Sequence, residues 1–452
     1  MSTVNAAGLD ESPGAQALPT RVDTAHLFQP LAPRRVYAGY VLGLLPSREQ
    51  TPAETSEPMT TSTRSRLLRD RSGPHPVTPL ELFFDLVYVF AATQLSHGLL
   101  EHLTWSGAFQ MLLLLLAVWS AWIYTAWITN WFDPEHPTVR LVILALMLLS
   151  LVMSAALPEA FGARGLVFAA AYLTIQIGRT LFVLAALWHH ELRRNFERVL
   201  FWLVVSAVPW ILGATLAEGT GRMALWTLAV GIEYLSAWLG FPTPGLGRSQ
   251  TSEWTISGQH LAERCQQFLL IALGESLLVT GATFSAGPFE AERTVAFVIS
   301  FTTTVAMWWI AFYRTDEVTA LALATSTDPG RFGRAYSYIH VIMVAGIIVT
   351  AVGDELVIAH PVGATEMAWL AAILGGPALF VAGHALLKLA LFGHLPWSHA
   401  IALVALAVLA PALLHSMPLV IAASATVVLL GVAAADTLLG RAYSRSSPAR
   451  SP

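Results

Sequence analysis

The stretch TPLELFFDLVYVFAATQ, residues 78–94, decides the fold class, because it is apolar almost throughout and yet carries two carboxylates. Glu81 and Asp85 are four residues apart, so a helix places them on one face. A charged side chain inside a bilayer is costly unless it is paired or hydrated. The stretch therefore predicts a membrane-spanning helix whose two acids face the inside of a bundle, where a cation neutralises them.

The composition of the whole chain indicates a polytopic membrane protein. Its 452 residues are 55% hydrophobic and 12% charged, whereas soluble proteins are about 25% charged. The small net charge of -4 and the lack of a long basic run argue against a nucleic-acid partner. Because Cys265 is the single cysteine, an intramolecular disulfide and a CxxC metal site are excluded. We expect no cofactor and no bound metal.

Apolar runs of about the length of a membrane span follow one another from residue 79 onward. Only helices and closed barrels satisfy their backbone hydrogen bonds in lipid, and the sequence lacks the short alternating segments of a barrel. We therefore predict an all-α, polytopic integral membrane bundle of about twelve transmembrane helices. The predicted spans are 79–98, 107–130, 139–157, 164–188, 199–217, 223–241, 261–284, 293–313, 335–358, 364–391, 398–415 and 418–440.

The arginines are distributed unevenly among the breaks between these runs. Most arginines lie before the first span, between spans four and five, around the break between spans eight and nine, and after the last span: Arg64, Arg66, Arg69, Arg71, Arg193, Arg194, Arg198, Arg314, Arg331, Arg334, Arg441, Arg445 and Arg450. The alternate breaks hold only Arg164, Arg222 and Arg293. Because basic loops stay in the cytoplasm, we predict a multi-pass membrane protein with both termini cytoplasmic. Residues 1–76 are predicted to be a disordered cytoplasmic tail, and residues 441–452 a short cytoplasmic tail.

Distinctive residues of the first half of the sequence recur in the same order in the second half. Glu81 falls opposite Glu263, and Pro209 falls opposite Pro411. This order predicts two six-helix repeats, at residues 77–241 and 242–440. Six spans is an even number, so the two repeats would have the same orientation, related by an axis along the membrane normal.

Ionisable residues inside the predicted spans are the candidates for a ligand, proton or cation pathway. The acids fall on spans one and seven and the bases on spans four and ten, so we predict that Glu81 or Asp85 lies within salt-bridge reach of Arg179. Structural ion pairs are the alternative, and they are common in bundles. Glu275 is the strongest functional candidate, because apolar turns lie on both sides of it. The candidates are Glu81, Asp85, Glu263, Arg264, Glu275, Arg179, His384 and Lys388.

Two motifs carry a family resemblance. TPLELFFDLVYVFAATQLS and HLAERCQQFLLIALGES together resemble the bacterial low temperature requirement protein A family, through Glu81 to Leu86 in the first motif and His260, Glu263, Arg264, Gly274, Glu275 and Ser276 in the second. The likeness covers residues ~75 to ~440. The chain departs from the family pattern at Cys265, Gln266 and Gln267, where an aromatic residue and a glycine are expected. The resemblance implies an integral protein of the bacterial inner membrane, from a family named for a need during growth in the cold, and it implies no substrate.

Repeats with ionisable residues near the midplane are typical of transporters, so we expect transport of a small solute or ion. Glu81, Asp85 and Glu275 would bind a cation or proton, and Arg179, His384 and Lys388 would be counter-charges or anion contacts. The expected partners are the lipid bilayer and the solute, with a homo-oligomer as a further expectation. The alternatives are an intramembrane enzyme that acts on lipid, with the acids as general acid or base, and a membrane sensor or scaffold.

Overall fold

The computed structural model describes residues 67–69, 76–313 and 329–446, which belong to one compact unit, Thr61–Pro452. Within these ranges the chain forms α-helices and short 3-10 turns and contains no strand. The helices are α1 (Pro79–Glu101), α2 (Trp105–Trp131), α3 (Pro137–Ala156), α4 (Gly165–Ala186), α5 (Arg193–Thr215), α6 (Gly219–Trp238), α7 (Gly258–Ser285), α8 (Ala291–Phe312), α9 (Pro329–Ala359), α10 (Met367–Phe392), α11 (Trp397–Ala412) and α12 (Pro418–Ser446).

Each predicted span corresponds in order to one of these helices. Ten of the described helices are long and apolar enough to cross a membrane. The other two are α6, which carries the buried Arg222 and Glu233, and α11, which has 16 residues. Large apolar side chains such as Leu141, Val208 and Ile401 remain exposed on the outer faces, as expected for side chains that contact lipid. The prediction of a polytopic helical bundle is confirmed.

The first helix begins where the sequence provides a complete N-terminal cap. Thr78 accepts a hydrogen bond from the backbone of Glu81, the Glu81 carboxylate accepts one from the backbone of Thr78, and Pro79 occupies the first helical position. This reciprocal arrangement is a capping box, and proline suits the first turn because its missing N–H has no partner there. The cap fixes the position of Glu81 before any tertiary contact is made.

The three arginines in the alternate breaks contact backbone carbonyls near helix ends. Arg222 donates to the carbonyls of Gly213 and Gly162, and Arg293 donates to those of Thr283 and Phe284. The last carbonyls of a helix have no partner within the helix, so these guanidinium groups satisfy them. Arg164 makes a similar contact with the carbonyl of Ala155.

Most of the predicted N-terminal tail, residues 1–66 and 70–75, lies outside the described residues. The described segment 67–69 pairs with the end of α2: the backbone N–H of Arg69 donates to Trp131, and that of Asp133 donates to Leu67. Helix α12 continues to Ser446 and so includes residues 441–446 of the predicted C-terminal tail. The proposed repeats, 77–241 and 242–440, stay a prediction.

Helices α9 and α10 pack with their backbones in close contact. A Cβ atom built on Gly376 would lie 2.5 Å from the backbone nitrogen of Thr350, and one on Gly346 would lie 2.5 Å from that of Phe380. Glycine at these positions therefore allows an approach that any side chain would prevent. The contact repeats along the helix pair at Gly353 and Gly383.

Two neighbouring glycines of α10 test this packing. Gly376→Ala should lower the stability of the protein by about 1–3 kcal/mol, because the new methyl group overlaps the α9 backbone. Gly375 has no neighbouring atom within 4 Å of its Cβ direction, so Gly375→Ala should be neutral or slightly stabilising, since alanine is the better helix former. Thermal unfolding of the two detergent-solubilised variants measures the difference. Equal behaviour of the two variants would contradict the close contact.

Candidate functional site

The two acids of α1 bind one arginine of α7. The Arg264 Nη2 donates to Asp85 Oδ1 at 2.6 Å, and the Arg264 Nη1 lies 3.0 Å from Glu81 Oε1. All three side chains are fully buried. The four-residue spacing of Glu81 and Asp85 matches the two ends of one guanidinium group, so a single arginine neutralises part of the charge of both.

Further polar groups complete this cluster, which we call the α1–α7 clasp (Arg69, Glu81, Asp85, Trp122, His260 and Arg264). The Arg69 Nη2 lies 3.0 Å from Glu81 Oε2, and the His260 Nε2 lies 3.1 Å from Glu81 Oε1. The indole N–H of Trp122 donates to Asp85 Oδ1 at 2.7 Å. The clasp therefore connects α1, α2, α7 and the segment 67–69 through charge-assisted contacts.

The predicted pairing of Glu81 or Asp85 with Arg179 is wrong. Arg179 of α4 donates instead to the carbonyl of Ala121 at 2.9 Å, to the Thr125 hydroxyl at 3.0 Å and to the Gln176 amide oxygen. The physical reason is helix placement: α7 lies against α1 and brings Arg264 to the two acids, while Arg179 faces α2. Sequence position alone does not show which of two buried arginines is the neighbour.

Arg179 connects to a carboxylate that was not among the predicted site residues. The Gln176 amide nitrogen donates to the Tyr172 hydroxyl at 2.9 Å, and that hydroxyl donates to Glu233 of α6. Glu233 Oε1 also accepts from Ser206 at 2.8 Å and from Trp210 at 3.0 Å. A continuous hydrogen-bonded chain thus runs from Arg179 to Glu233 across α4 and α6. The Glu233 carboxylate in this chain accepts its hydrogen bonds from the neutral side chains of Tyr172, Ser206 and Trp210.

This chain borders an aromatic cavity at one end of the bundle. The volume open to the centres of water molecules is about 120 Å³, which is well above the 10–15 Å³ or so that one water needs. The cavity extends from the ends of α2 and α6 and the starts of α5 and α9 inward to Arg179 and Glu233. Its aromatic and charged lining residues are Trp119, Tyr124, Trp127, Trp131, Arg179, Phe196, Glu233, Tyr234, Phe241, Trp254, Arg334 and Tyr338.

The polar atoms of several lining aromatics are already bound by the protein. The indole N–H groups of Trp119 and Trp127 donate to the carbonyl and the hydroxyl of Ser337, at 2.7 and 3.0 Å. The Tyr338 hydroxyl donates to the carbonyl of Tyr234 at 2.9 Å. The rings therefore present apolar faces to the cavity, with their orientation fixed by hydrogen bonds.

The two remaining acids of α7 lie in different environments. Glu263 is partly exposed at the surface and accepts a solvent-exposed hydrogen bond from Gln259 at 3.0 Å. Glu275 is buried, and its Oε1 accepts a 2.5 Å hydrogen bond from Thr93 of α1. Among the described residues, no basic side chain lies within 4.0 Å of the Glu275 carboxylate.

His384 and Lys388 lie together, but their partners are on α11 and α12 rather than on α1 or α7. The Lys388 Nζ donates to Asp436 at 2.6 Å, and the His384 Nδ1 lies 2.8 Å from the His399 Nε2. The position of His384 and Lys388 inside an apolar span identified them as candidates in the sequence. His399 lies close to the start of its helix, so its position did not identify it in the same way.

Asp354 of α9 is a second acid that the predicted site omitted, although its position inside an apolar span was visible in the sequence. Its Oδ2 is buried and has no hydrogen-bond partner among the described residues. Asp354 lines a cavity of about 10 Å³ with Thr303, Thr350 and Pro377. Because Pro377 lacks an N–H, the carbonyl four residues earlier, on Ile373, loses its usual helical partner beside this cavity.

These features define a polytopic integral membrane protein that is an α-helical bundle with buried charge clusters. Residues 76–434 match the family model described as bacterial low temperature requirement A protein (LtrA). The chain belongs to this family, as its two sequence motifs indicated.

A curated relative is an uncharacterized protein of Rhizobium meliloti (strain 1021). It is 40% identical over 324 residues, which cover 71% of this chain and 78% of the relative. No solved structure matches the chain. Both family motifs supply residues of the α1–α7 clasp: Glu81 and Asp85 come from the first, and His260 and Arg264 from the second.

The clasp predicts a specific coupling between Arg264 and Asp85. Arg264→Met leaves two buried carboxylates without their shared cation and should cost roughly 3–5 kcal/mol of stability. Adding Asp85→Asn should recover part of that loss, because it removes one unpaired charge. Thermal unfolding in detergent of the two single variants and the double variant gives the coupling free energy.

Arg179→Met provides the control for this cycle, because Arg179 does not contact Asp85. The changes in the free energy of unfolding caused by Arg179→Met and by Asp85→Asn should be additive in the double variant. Additivity of Arg264→Met with Asp85→Asn would contradict the clasp, and coupling of Arg179→Met with Asp85→Asn would restore the pairing that the structure rejects.

Proposed function

We propose that this protein transports a small organic solute across the membrane and binds it in the aromatic cavity. The observation that carries the proposal is the cavity itself, a space among buried and half-buried aromatic rings with a charged inner wall. Small-molecule sites are typically concave and mostly apolar, with a few polar groups that fix orientation. The cavity has all three properties.

The charges of the cavity favour an anionic solute with an apolar or aromatic body. Arg179 and Arg334 line it together with one acid, Glu233, and Glu233 already accepts hydrogen bonds from Tyr172, Ser206 and Trp210. The Arg179 Nε is buried and has no hydrogen-bond partner among the described residues. An arginine with an unused donor binds a carboxylate well, and the ring faces accommodate the body of the solute.

The coupling ion would be carried by acids that lack a cationic partner. Glu81 and Asp85, two of the expected carriers, are held by Arg264, so we assign them to the clasp. Glu275 remains as the expected carrier of a proton or cation, and Asp354 joins it because it is buried with an unpartnered oxygen. Unpaired acids inside a membrane are typical of proton and cation pathways.

Binding to the cavity can be measured through its own tryptophans. Small aromatic carboxylates should change the intrinsic fluorescence of the detergent-solubilised protein, and their amide and amine counterparts should not, because these lack the anionic group. Trp127→Leu, inside the cavity, should weaken the response, whereas Trp105→Leu, which is 88% exposed, should leave the affinity unchanged. A response equal for carboxylate and amine would overturn the anion assignment.

Uptake of the same bound carboxylate into proteoliposomes then tests transport. Accumulation that depends on a proton or sodium gradient supports the proposal. Binding without uptake under either gradient would contradict transport and favour the alternative of a membrane sensor.

Glu275→Gln tests the coupling role separately. Glutamine keeps an oxygen that accepts the hydrogen bond from Thr93 and removes the titratable charge, so folding and solute binding should be retained while gradient-driven uptake is lost. Glu263→Gln is the matched control on the same helix, because Glu263 lies at the surface, and it should transport like the parent. Normal gradient-driven uptake by Glu275→Gln would show that Glu275 carries no coupling ion.

A further inference from the structure

We propose that His384, His399 and Asp436 form a binding site for a divalent transition-metal ion of the Zn²⁺ type. The three residues come from α10, α11 and α12, and they lie apart from the aromatic cavity and from the clasp. The proposal does not depend on transport. It assigns a role to the His384–Lys388 pair that differs from the anion contact expected from the sequence.

The spacing of the ligand atoms suits such an ion. One ligand atom from each of the three residues lies within 4.8 Å of the others, and the His384 Nδ1 is 2.8 Å from the His399 Nε2. Ligand atoms in a tetrahedral zinc site lie about 2.0–2.2 Å from the ion and therefore about 3.3 Å from one another. To form a coordinating arrangement, the two ring nitrogens would separate by about 0.5 Å and the longest of the other separations would shorten by at most about 1.5 Å.

Imidazole nitrogens and a carboxylate are also the chemically appropriate donors. Two histidines and one acid match the zinc sites that have three protein ligands and a water molecule or substrate in the fourth position. Both rings are almost fully buried, at 1% and 0% exposure, so their positions are set by packing.

Without an ion, a single hydrogen-bonded chain holds these groups together. Two neutral imidazoles share one proton at a contact of this kind. Because the Ser398 hydroxyl donates to the Asp436 carboxylate, its oxygen accepts from His399 Nδ1–H, and His399 Nε2 therefore accepts from His384 Nδ1–H. His399 Nδ1 lies 3.1 Å from the Ser398 hydroxyl, which donates to Asp436 Oδ1 at 3.2 Å. A metal ion would take the place of the proton between the rings. When Nδ1 of His384 binds the ion, the hydrogen of the neutral ring moves to Nε2, which has no hydrogen-bond partner among the described residues.

Lys388 is the group that would compete with the ion. Its ammonium is 2.6 Å from Asp436 Oδ2 and occupies the carboxylate in the structure. The Lys388 side chain is 23% exposed and that of Asp436 is 12% exposed, so the flexible lysine can withdraw while the ion approaches from that side. The ion therefore exchanges with a positive charge already present, which lowers its affinity and makes binding responsive to Lys388.

The experiment uses full-length protein prepared without a histidine tag and stripped of metal with a chelator. We expect one Zn²⁺ ion per chain after dialysis and elemental analysis, with saturable heat on titration. Co²⁺ should give the visible absorption bands of a low-symmetry, nitrogen-containing site, which reports the ligands of the unaltered protein and needs no variant to fold. No bound ion at millimolar Zn²⁺, or Co²⁺ bands of the aqueous ion, would overturn the proposal.

Variants identify the ligands. His384→Gln and His399→Gln should each abolish stoichiometric binding, and Asp436→Asn should weaken it. The double variant His189→Gln/His190→Gln removes an exposed histidine pair at another helix end and should bind like the parent.

Lys388→Met distinguishes the metal site from a mere hydrogen-bonded chain, because removal of the competing charge should tighten Zn²⁺ binding several-fold. Unchanged affinity in Lys388→Met would exclude Asp436 as a ligand, and loss of binding in the His189/His190 double variant would place the ion elsewhere.

Discussion

The rest of the structure depends on the contact of Arg264 with Glu81 and Asp85. In lipid there is no hydrophobic force that brings one helix to another, so packing and polar contacts decide which helices are neighbours. One guanidinium group spans two carboxylates on successive turns of α1, and Arg69 adds a second cation, so two negative and two positive charges meet in one buried cluster. Trp122 extends this cluster to α2, and its ring lies 4.9 Å from that of Trp119, which lines the cavity. The charge cluster therefore contacts the helix that forms one wall of the cavity.

Much of the fold could be predicted from the sequence, because the relevant signals are local. A run of about 20 apolar residues spans a bilayer whatever its neighbours are, and the twelve predicted runs correspond to the twelve described helices. The inward direction of Glu81 and Asp85 also followed from the local sequence, since residues four apart share a helix face and a charged face is costly in lipid. The start of α1 was equally local, because Thr78, Pro79 and Glu81 form a cap within four residues.

The choice of partners could not be predicted in the same way. Arg179 and Arg264 both stand inside apolar spans, and only the arrangement of helices shows that one meets the acids while the other enters a chain to Glu233. The tryptophans of α2 were equally ambiguous, since a packing role and a cavity wall require the same residue type. The proximity of His399 and Asp436 to His384 depends on the packing of α11 and α12 against α10, which the sequence does not show. Each of these features depends on contacts between residues far apart in the chain.

The close backbone contact between α9 and α10 has a thermal consequence. Burial of apolar surface from water weakens on cooling, but this helix pair is held by van der Waals contact of glycine faces with backbone atoms, as at Gly376 and Thr350. Such contacts require no change in the ordering of water, and their attraction is a sum of many short-range dispersion terms. In the cold, the contact between α9 and α10 should therefore lose less strength than contacts that depend on the burial of apolar surface from water.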